Sequence, residues 1–363
     1  MTLPSPFRTL LRTTFAASSL ALTAAWLPAQ AAPTVTRLTP PSELYASGNA
    51  APVIARFLPG QRFDLQATVK ADTGHAVTGF VFFVDGVNVP VPALATSIVS
   101  GAKVTVADGF VVSARAYANA VPGVHTLTVL AQQDDGQIAS ATGNFEIVAI
   151  AQGGRPVKNI IILLGDGMGA TQRTAARIMG RGYAQGKAMG RLAMDTFPVI
   201  GLVMTASLDS IITDSAPGMS NYVNGNKSAN NQEGVFPDDT KDAFDNPRIE
   251  YLSEYLHRTQ GKSLGLVTTA DVFDATPAAN AVHTSNRGNG TGIVDQYLDD
   301  RHLTGLKVLM GGGRKWFLPN PSDATSPQAV NGSQRKNSTD YVLPRIWWPA
   351  GRPRRASSTA AAT

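Results

Sequence analysis

The stretch Lys158–Leu164 is dominated by aliphatic side chains, has the length of a strand and ends at Gly165. A run of this kind suits a central strand that is covered on both faces of a sheet. Two further strand-like runs, Ser263–Thr268 and Leu306–Met310, alternate with helical patterns downstream. This alternation predicts an α/β domain with a mostly parallel sheet flanked by helices, in which an active site lies at the carboxyl ends of the strands.

Helical patterns surround these predicted strands. One begins at about Thr171, one covers Asn246–Arg258 and ends at Gly261, and one covers Ile293–Leu298. Glycine is the residue that most often closes a helix, so the end at Gly261 is the best defined of these boundaries.

The residues numbered 33–150 have a different pattern, in which short runs rich in Val, Thr, Ala and Phe are separated by turn signals. Phe63–Val69 is one such run, and Val77–Val84 is another that ends at the turn Asp85-Gly86. This pattern predicts antiparallel strands in a small β-sandwich. The segment resembles the immunoglobulin-like modules of exported bacterial proteins, and the Gly- and Pro-containing residues 152–156 after it predict a linker.

Potential metal ligands are sparse in this β-rich segment. His75 and His125 stand apart from other candidate ligands, so we predict that each is a surface or hydrogen-bonded histidine and not a ligand. The chain contains no cysteine. Thiolate zinc sites and cysteine nucleophiles are therefore excluded, and stability outside the cell would have to come without disulfides.

The N-terminus has the pattern of an export signal. Arg8 and Arg12 precede the apolar stretch Phe15–Leu27, and Ala29-Gln30-Ala31 matches a signal-peptidase site. We predict a signal peptide cleaved after Ala31 and a periplasmic or secreted protein. The alternative is an uncleaved N-terminal anchor. No later segment has the length and hydropathy of a transmembrane helix.

The formal net charge of +5 is confined to one end of the chain. Residues 335–363 carry six basic side chains and a single acid, Asp340. The remaining residues sum to zero, so we do not predict a nucleic-acid partner.

Asp166 follows the first predicted strand and lies between Gly165 and Gly167. Glycines let the backbone turn tightly, so the carboxylate would project at the strand end, where it suits a divalent cation that prefers oxygen ligands. The alternative is an aspartate that caps the next helix. The loop lacks the lysine of a P-loop, which argues against a nucleotide site.

Ser215 stands between Asp214 and Ala216-Pro217 at the start of a helical pattern that extends to Asn224. Proline fits the first turn of a helix, where its missing N–H costs nothing. A serine at this end meets unpaired N–H groups and the positive pole of the helix, which favour an alkoxide and hold a phosphoryl group. The alternative is that Asp214 or Ser215 is only the N-cap.

Asp274 and Thr276 are two residues apart and are followed by Pro277. An extended chain would turn both side-chain oxygens to one side and form half of the ligand shell of a hard cation, although the same pair also occurs in ordinary turns. Downstream, Arg287 carries a planar guanidinium that suits bidentate binding of phosphate. The alternative for Arg287 is a solvated charge in a loop.

The order and spacing of these residues resemble the alkaline phosphatases, a family of exported, metal-dependent phosphomonoesterases. The resemblance runs from about Lys158 to Phe317 and includes the stretch Gly311–Phe317, which is typical of the family. It implies the family's α/β fold, phosphate monoesters as substrates, Zn²⁺ and Mg²⁺ as cofactors, and the homodimer that is common in the family.

The resemblance also implies roles for individual residues. Ser215 would be the nucleophile that becomes phosphoserine, Arg287 would bind the substrate phosphate, and Asp214 would orient the guanidinium. In the family, a zinc-activated serine attacks in line, and a zinc-bound hydroxide then attacks the phosphoserine.

For the metals, the resemblance implies that Asp166 bridges a zinc and the magnesium ion. Asp274 and Thr276 would serve the magnesium site. The family places most of its zinc ligands, a cluster of Asp and His residues, and a magnesium-binding Glu after the glycine triplet. After Phe317 this sequence has no His and no Glu, and its only acids are Asp323 and Asp340. We therefore expect half of the family's metal site and impaired activity.

After about Leu343 the sequence loses its periodicity and becomes rich in arginine. We expect a frameshift or premature stop near this point; the alternative is a natural basic tail on a shortened homologue. The predicted domains are a signal peptide at 1–31, an immunoglobulin-like sandwich at 33–150, a truncated phosphatase domain at 156–343 and a disordered basic tail at 344–363.

Three functions remain open at this point. The first is phosphomonoester hydrolysis, impaired by the missing zinc ligands. The second is an inactive secreted protein that acts only in binding. The third is a related metalloenzyme such as a sulfatase or phosphodiesterase, against which Ser215 argues because those enzymes use threonine or a modified cysteine.

Overall fold

The structure is a computed structural model that describes residues 32–42, 54–89, 96–151, 153 and 157–318. All of them belong to one compact unit, Ala32–Thr363. The predicted signal peptide and basic tail, and the arginine-rich sequence after Leu343, lie outside the described residues. In the part that is described, no helix combines the length and the apolar character needed to cross a membrane.

Among the described residues of the first part of the chain, nine strands form two sheets. They are β1 (Thr34–Thr39), β2 (Arg56–Phe57), β3 (Arg62–Lys70), β4 (Val77–Val84), β5 (Val87–Asn88), β6 (Thr96–Ser100), β7 (Gly109–Ala118), β8 (Gly123–Gln133) and β9 (Ile138–Ile147). One sheet has the order β1-β3-β7-β6 and the other β2-β9-β8-β4-β5. Neighbouring strands are antiparallel except β2 and β9, which confirms the predicted antiparallel pairing.

The two sheets share one hydrophobic core. Leu65, Val69 and Val112 enter it from the first sheet, and Val129 and Phe145 enter it from the second. All of these side chains are fully buried. At about 25 cal/mol per Å² of apolar surface, full burial of each aliphatic side chain stabilises the fold by about 1.5–3 kcal/mol.

The outer face of β3 is also buried, because the segment 236–250 packs against it. Phe236 and Ile249 from this segment join the core of the two sheets. On the polar side, Gln66 Nε2 donates to Asp238 at 3.2 Å, and Thr68 Oγ1 donates to Asp239 at 2.6 Å. The β-sheets and the following α/β part are therefore packed as one body along β3.

The α/β part contains six helices and four strands among the described residues. The helices are α1 (Ala170–Arg181), α2 (Ser215–Asn224), α3 (Leu252–Gln260), α4 (Ala275–Ala278), α5 (Gly290–Asp299) and α6 (Arg301–Thr304). The strands are β10 (Tyr183–Ala184), β11 (Lys187–Ala188), β12 (Leu264–Asp271) and β13 (Leu306–Gly312). β12 and β13 are parallel, and the chain between them contains α4, α5 and α6. The predicted α/β alternation is confirmed here, although the parallel sheet has only these two strands in the described part.

The prediction that Lys158–Leu164 forms a central strand is wrong for this structure. The segment has no strand hydrogen bonds, and Ile161 and Leu163 are 82% and 85% exposed. A hydrogen bond connects the segment to the residue range just before β12: Lys262 Nζ donates to the Lys158 carbonyl at 3.0 Å. An aliphatic run specifies burial but not a partner, and among the described strands β12 pairs with β13 alone.

The helix predicted over Asn246–Arg258 begins later, at Leu252. The residues before it are extended, and Ile249 forms a bridge with Phe63 of β3. The Glu254 carboxylate accepts a hydrogen bond from Tyr251 N at 2.9 Å, which caps the helix at this point. The helix ends at Gly261 in the left-handed conformation, as predicted.

The α/β part exposes many apolar side chains, from which we predict self-association. The most exposed are Ile161, Leu163, Met179, Val199, Ile200, Leu202, Met204 and Ile211, at 82–100% of their surface. Contiguous exposed apolar surface and open sheet edges favour association. We expect the chain to enhance the fluorescence of a hydrophobic dye and to form aggregates at micromolar concentration in light scattering.

The matched variant replaces Leu202, Met204 and Ile211 with lysine. We expect it to bind severalfold less dye and to stay monodisperse at higher concentration. A wild-type chain that is monodisperse and binds no dye would contradict this prediction.

Candidate active site

Asp214 caps helix α2 and Ser215 is the first residue of that helix. Asp214 Oδ1 accepts from Ala216 N and Oδ2 accepts from Asn231 N, both at 2.7 Å. The helix ends before Gly225, which is left-handed, as the sequence predicted. The capping interpretation therefore holds for Asp214, while the Ser215 hydroxyl is left for other partners at the positive end of the helix.

The guanidinium of Arg287 joins Ser215 to two carboxylates. Nη1 donates to Ser215 Oγ at 2.9 Å and to Asp214 at 3.4 Å, and Nη2 donates to Asp274 at 2.7 Å. Burial opposes the charge of Arg287, but the hydrogen bond to Asp274 and the nearby carboxylates outweigh it and raise the pKa of Arg287. Arg287 is therefore a fixed cation at the serine and not a solvated loop charge.

Asp166 and Thr276 form a second pair. Thr276 Oγ1 donates to Asp166 Oδ2 at 2.8 Å, although the two residues are 110 positions apart in the chain. Asp166 does not cap the next helix, because the N-cap of α1 is Gly169, and Gly167 between them turns with φ +63°. The helix-cap alternative for Asp166 is therefore wrong.

Asp274 and Thr276 do not point to the same partner. Asp274 caps the short helix α4, where its Oδ1 accepts from Ala275 N at 2.8 Å, and Thr276 lies inside that helix. The predicted extended geometry is therefore wrong at Thr276, because helix formation begins at Ala275. Asp274 turns to Arg287 and Thr276 turns to Asp166. The structure therefore links the predicted residues as a group of four around Arg287 and a separate pair, Asp166 and Thr276.

A cavity of about 560 Å³ lies beside these residues. Asp166, Ser215 and Thr276 line its polar end, and Met219 and Tyr222 of α2 belong to its wall. The cavity has room for a phosphate group and a small alcohol portion. Hard oxygen donors at its polar end suit magnesium.

The residues that line this cavity include none of the histidine ligands that zinc commonly takes. All five histidines of the sequence lie in the described part, and none lines this cavity. Each has a polar partner elsewhere: His75 with Asp134, His125 with Asp85, His257 with the Lys262 carbonyl, His283 with the Gly234 carbonyl, and His302 with the Asp299 carbonyl. A catalytic zinc ion takes about three protein ligands, commonly with histidine among them.

His75 and His125 were both predicted to be isolated, hydrogen-bonded or surface histidines, and their surroundings differ. His125 is buried and hydrogen-bonded on both ring nitrogens, to Asp85 at 2.7 Å and to the Val121 carbonyl at 2.8 Å, as predicted. His75 is hydrogen-bonded too, but it is not isolated. It forms a close group with Asp134 and Asp135, and its hydrogen bond to Asp134 raises its pKa.

Sequence reasoning missed two parts of the site's surroundings. Glu233 is fully buried and interacts electrostatically with Arg287, Asp274 and Asp214. His283 is buried against the ring of Tyr251, with 4.5 Å between the ring centroids. Neither position has a distinctive spacing in the sequence, because burial and stacking of this kind arise only from tertiary packing.

Three comparisons relate the chain to known proteins. The family model described as "Alkaline phosphatase" matches residues 157–343. The chain is 34% identical over 190 residues to the tissue-nonspecific alkaline phosphatase of Gallus gallus. The aligned region covers 47% of this chain and 36% of that protein. It is 33% identical over 227 residues to streptomycin-6-phosphate phosphatase of Streptomyces griseus, covering 56% of this chain and 47% of that protein.

Among solved structures, a cold-active alkaline phosphatase from Shewanella sp. is 27% identical, with a TM-score of 0.35 over 42% of this chain and 36% of that chain. The chain spans less than half the length of each of these relatives.

Proposed function

The chain belongs to the alkaline phosphatase family, and from this premise we propose that its site hydrolyses phosphate monoesters through a phosphoserine at Ser215. The observation that carries the proposal is the hydrogen bond between Arg287 and Ser215 Oγ, 2.9 Å long, at the N-terminus of α2. A nucleophile and an anion-binding cation meet at the positive end of a helix. These are the groups that phosphoryl transfer to a serine requires.

In the proposed first step, Ser215 Oγ attacks phosphorus and gives its proton to solvent water as the new O–P bond forms. The O–P bond of the ester breaks, and the alcohol leaves with its electron pair and takes up a proton from solvent. In the second step water attacks the phosphoserine, which releases inorganic phosphate and returns the hydroxyl of Ser215. The net reaction consumes one water per ester.

Arg287 binds the phosphate in both steps. To bind phosphate bidentately, the guanidinium gives up its hydrogen bonds to Ser215 and Asp274 and donates to two phosphate oxygens instead. Asp214 accepts from Arg287 and from Asn231 N, so it keeps the guanidinium beside the serine during that exchange. The positive pole at the N-terminus of α2 favours the negative charge on the phosphoryl oxygens.

We propose that Asp166, Thr276 and Asp274 hold a magnesium ion, which when bound would neutralise negative charge beside the phosphate. Beside this cavity the described residues offer no comparable set for zinc, since the group of His75, Asp134 and Asp135 does not line it. We therefore propose that hydrolysis by this chain is impaired, since the family's zinc would otherwise activate the serine. An inactive protein that acts only in binding is the limiting case of this proposal.

Hydrolysis of an aromatic phosphate monoester at alkaline pH, with zinc and magnesium added, tests the proposed impairment. We expect turnover at least about 10³-fold below a typical enzyme rate constant of about 10 per second, and weak binding of magnesium in metal analysis. Turnover at an ordinary rate that depends on zinc and disappears in Ser215→Ala would contradict the impairment and support the phosphatase function.

We further propose that residues 1–31 direct export, that residues 33–150 form an immunoglobulin-like module ahead of a phosphatase domain at 156–343, and that the residues 344–363 form a separate basic tail. Export to the periplasm or the medium, with a new N-terminus at Ala32, would support the first of these proposals. Homodimer formation, which the family relationship suggests, is tested by sedimentation of the purified chain.

A further inference from the structure

Glu233 is a fully buried acid that the proposed mechanism does not use. Its exposed fraction is 0%, and neither carboxylate oxygen has a hydrogen-bond partner among the residues that the structure describes. Buried polar groups are nearly always paired, and an unpaired buried carboxylate costs several kcal/mol. An acid in this position therefore calls for a physical role.

The backbone around Glu233 is tied directly to the loop that carries Arg287. Glu233 N donates to the Thr284 carbonyl at 2.8 Å, and Thr284 N donates back at 3.1 Å. Two residues earlier, the Asn231 carbonyl accepts from Arg287 N at 3.0 Å, while Asn231 N donates to Asp214. The segment 231–233 thus fixes the guanidinium loop relative to the start of α2.

The charges that face Glu233 belong to the candidate active site and to two buried tyrosines. Burial raises the pKa of Glu233 well above its ordinary value; Arg287 counteracts this, and Asp274 and Asp214 add to it. Glu233 in turn helps to raise the pKa values of Tyr251 and Tyr297, after burial, which is the larger cause in both.

The charges around Glu233 determine how its ionisation would affect phosphate binding. Arg287 supplies one positive charge and already faces two carboxylates, those of Asp214 and Asp274. If Glu233 also ionises, the cluster gains a further negative charge in a place where water cannot screen it. Such a charge repels a phosphate dianion and competes for the guanidinium.

We propose that Glu233 is a positioning residue that acts through Arg287: as a neutral acid it leaves the guanidinium charge available to phosphate, and as an anion it weakens phosphate binding. This inference rests on the proposed function, because it takes Arg287 as the phosphate-binding group. It adds a built-in control of phosphate affinity that lies outside the residues touching the substrate.

Calorimetric titration of inorganic phosphate into the full chain between pH 6 and pH 9 tests the proposal. Glu233→Gln mimics the neutral acid in size and shape. We expect wild type and Glu233→Gln to bind phosphate equally at the acid end of this range, and the variant to bind about fivefold or more tightly than wild type where Glu233 is ionised. The ionisation of phosphate itself is the same in both titrations, so the ratio of the two affinities reports on Glu233.

Two further variants sharpen the test. Glu233→Met is neutral at every pH and should follow Glu233→Gln, which separates the charge from any hydrogen bond that the amide makes. Glu250→Gln removes another buried acid, one whose partner is Arg258 at 2.7 Å, and should keep the wild-type ratio at every pH.

Identical pH profiles for wild type and Glu233→Gln would overturn the role of Glu233. If Arg287→Ala still binds phosphate as tightly as wild type, the proposed function of Arg287 fails instead. Absence of phosphate binding by wild type at every pH contradicts both proposals.

Discussion

Replacing Ser215 with alanine is expected to abolish transfer of a phosphoryl group to the protein, with a loss on the order of 10³-fold or more in the rate constant. The hydroxyl is the one nucleophile that the structure holds at both the helix N-terminus and the guanidinium of Arg287. Alanine keeps the helix start intact, because the N-cap is Asp214 and not the serine. The loss should therefore be chemical and not structural.

The measurement is intact-protein and peptide mass spectrometry after long incubation with an aromatic phosphate monoester. Wild type should gain one phosphoryl group in the peptide that contains Ser215, even if the rate is low. Ser253→Ala is the matched control, since Ser253 lies in the first turn of α3 and donates to the Asn280 carbonyl at 2.7 Å, away from the cavity. It should be phosphorylated like wild type.

Phosphorylation of Ser215→Ala at the wild-type rate would contradict the assignment of the nucleophile. Loss of phosphorylation in both serine variants would point to a general defect in folding. Circular dichroism of the two variants distinguishes a folding defect from a chemical one.

Local signals in the sequence predicted the helices well. The start of α2 was predictable because Asp214 and Pro217 both have strong preferences at a helix N-terminus, and its end was predictable from Gly225. Asn246 to Tyr251 carry a helical pattern too, yet they are extended, since Ile249 is more stable in the core beside Phe63. Tertiary packing overrode local propensity at that point.

The strand Lys158–Leu164 shows a different limit. Hydrophobic pattern indicates that a segment should be buried, but the strand itself depends on a neighbouring edge with free N–H and C=O groups. Among the described residues β12 pairs with β13 alone, the aliphatic run pairs with neither strand, and it stays exposed.

The sequence indicated which residues would lie near the candidate site, but it did not indicate which of them would form hydrogen bonds with each other. The six residues named from sequence do come together, because each stands at the start of a helix or at the end of a loop with a defined turn. The sequence did not indicate that Asp274 would bind Arg287 while Thr276 would bind Asp166. The sequence could not single out Glu233, because its burial and its lack of a hydrogen-bond partner arise only when the chain folds.

Asp64→Ala is expected to lower the free energy of unfolding by about 3–5 kcal/mol. Asp64 is 4% exposed and accepts from Arg115 Nη1 at 2.7 Å, from Ala116 N at 2.7 Å and from Arg248 N at 2.9 Å. Alanine leaves the N–H groups of Ala116 and Arg248 and a half-buried guanidinium without this partner. It also releases Ala116, which has a positive φ of 59° and is held in that conformation by the carboxylate.

Urea unfolding followed by circular dichroism measures the loss as a shift of the midpoint at constant slope. Asp242→Ala is the matched control, because Asp242 also accepts from a backbone N–H, that of Phe244 at 3.0 Å, but does so at the surface. We expect the control to change stability by about 0.5 kcal/mol or less. A shift below about 1 kcal/mol for Asp64→Ala would contradict the burial argument.

The Asp64 variant also tests how the two parts of the chain are joined. Asp64 lies on β3 within the β-sheets, and one of its three partners, Arg248 N, belongs to the segment that leads into α3. If the shared core along β3 makes the chain one cooperative unit, intrinsic fluorescence and circular dichroism should report the same lowered midpoint. If the sheets unfold independently of the α/β part, the two signals should separate in the variant, since the lost carboxylate is one of the groups that hold the two parts together.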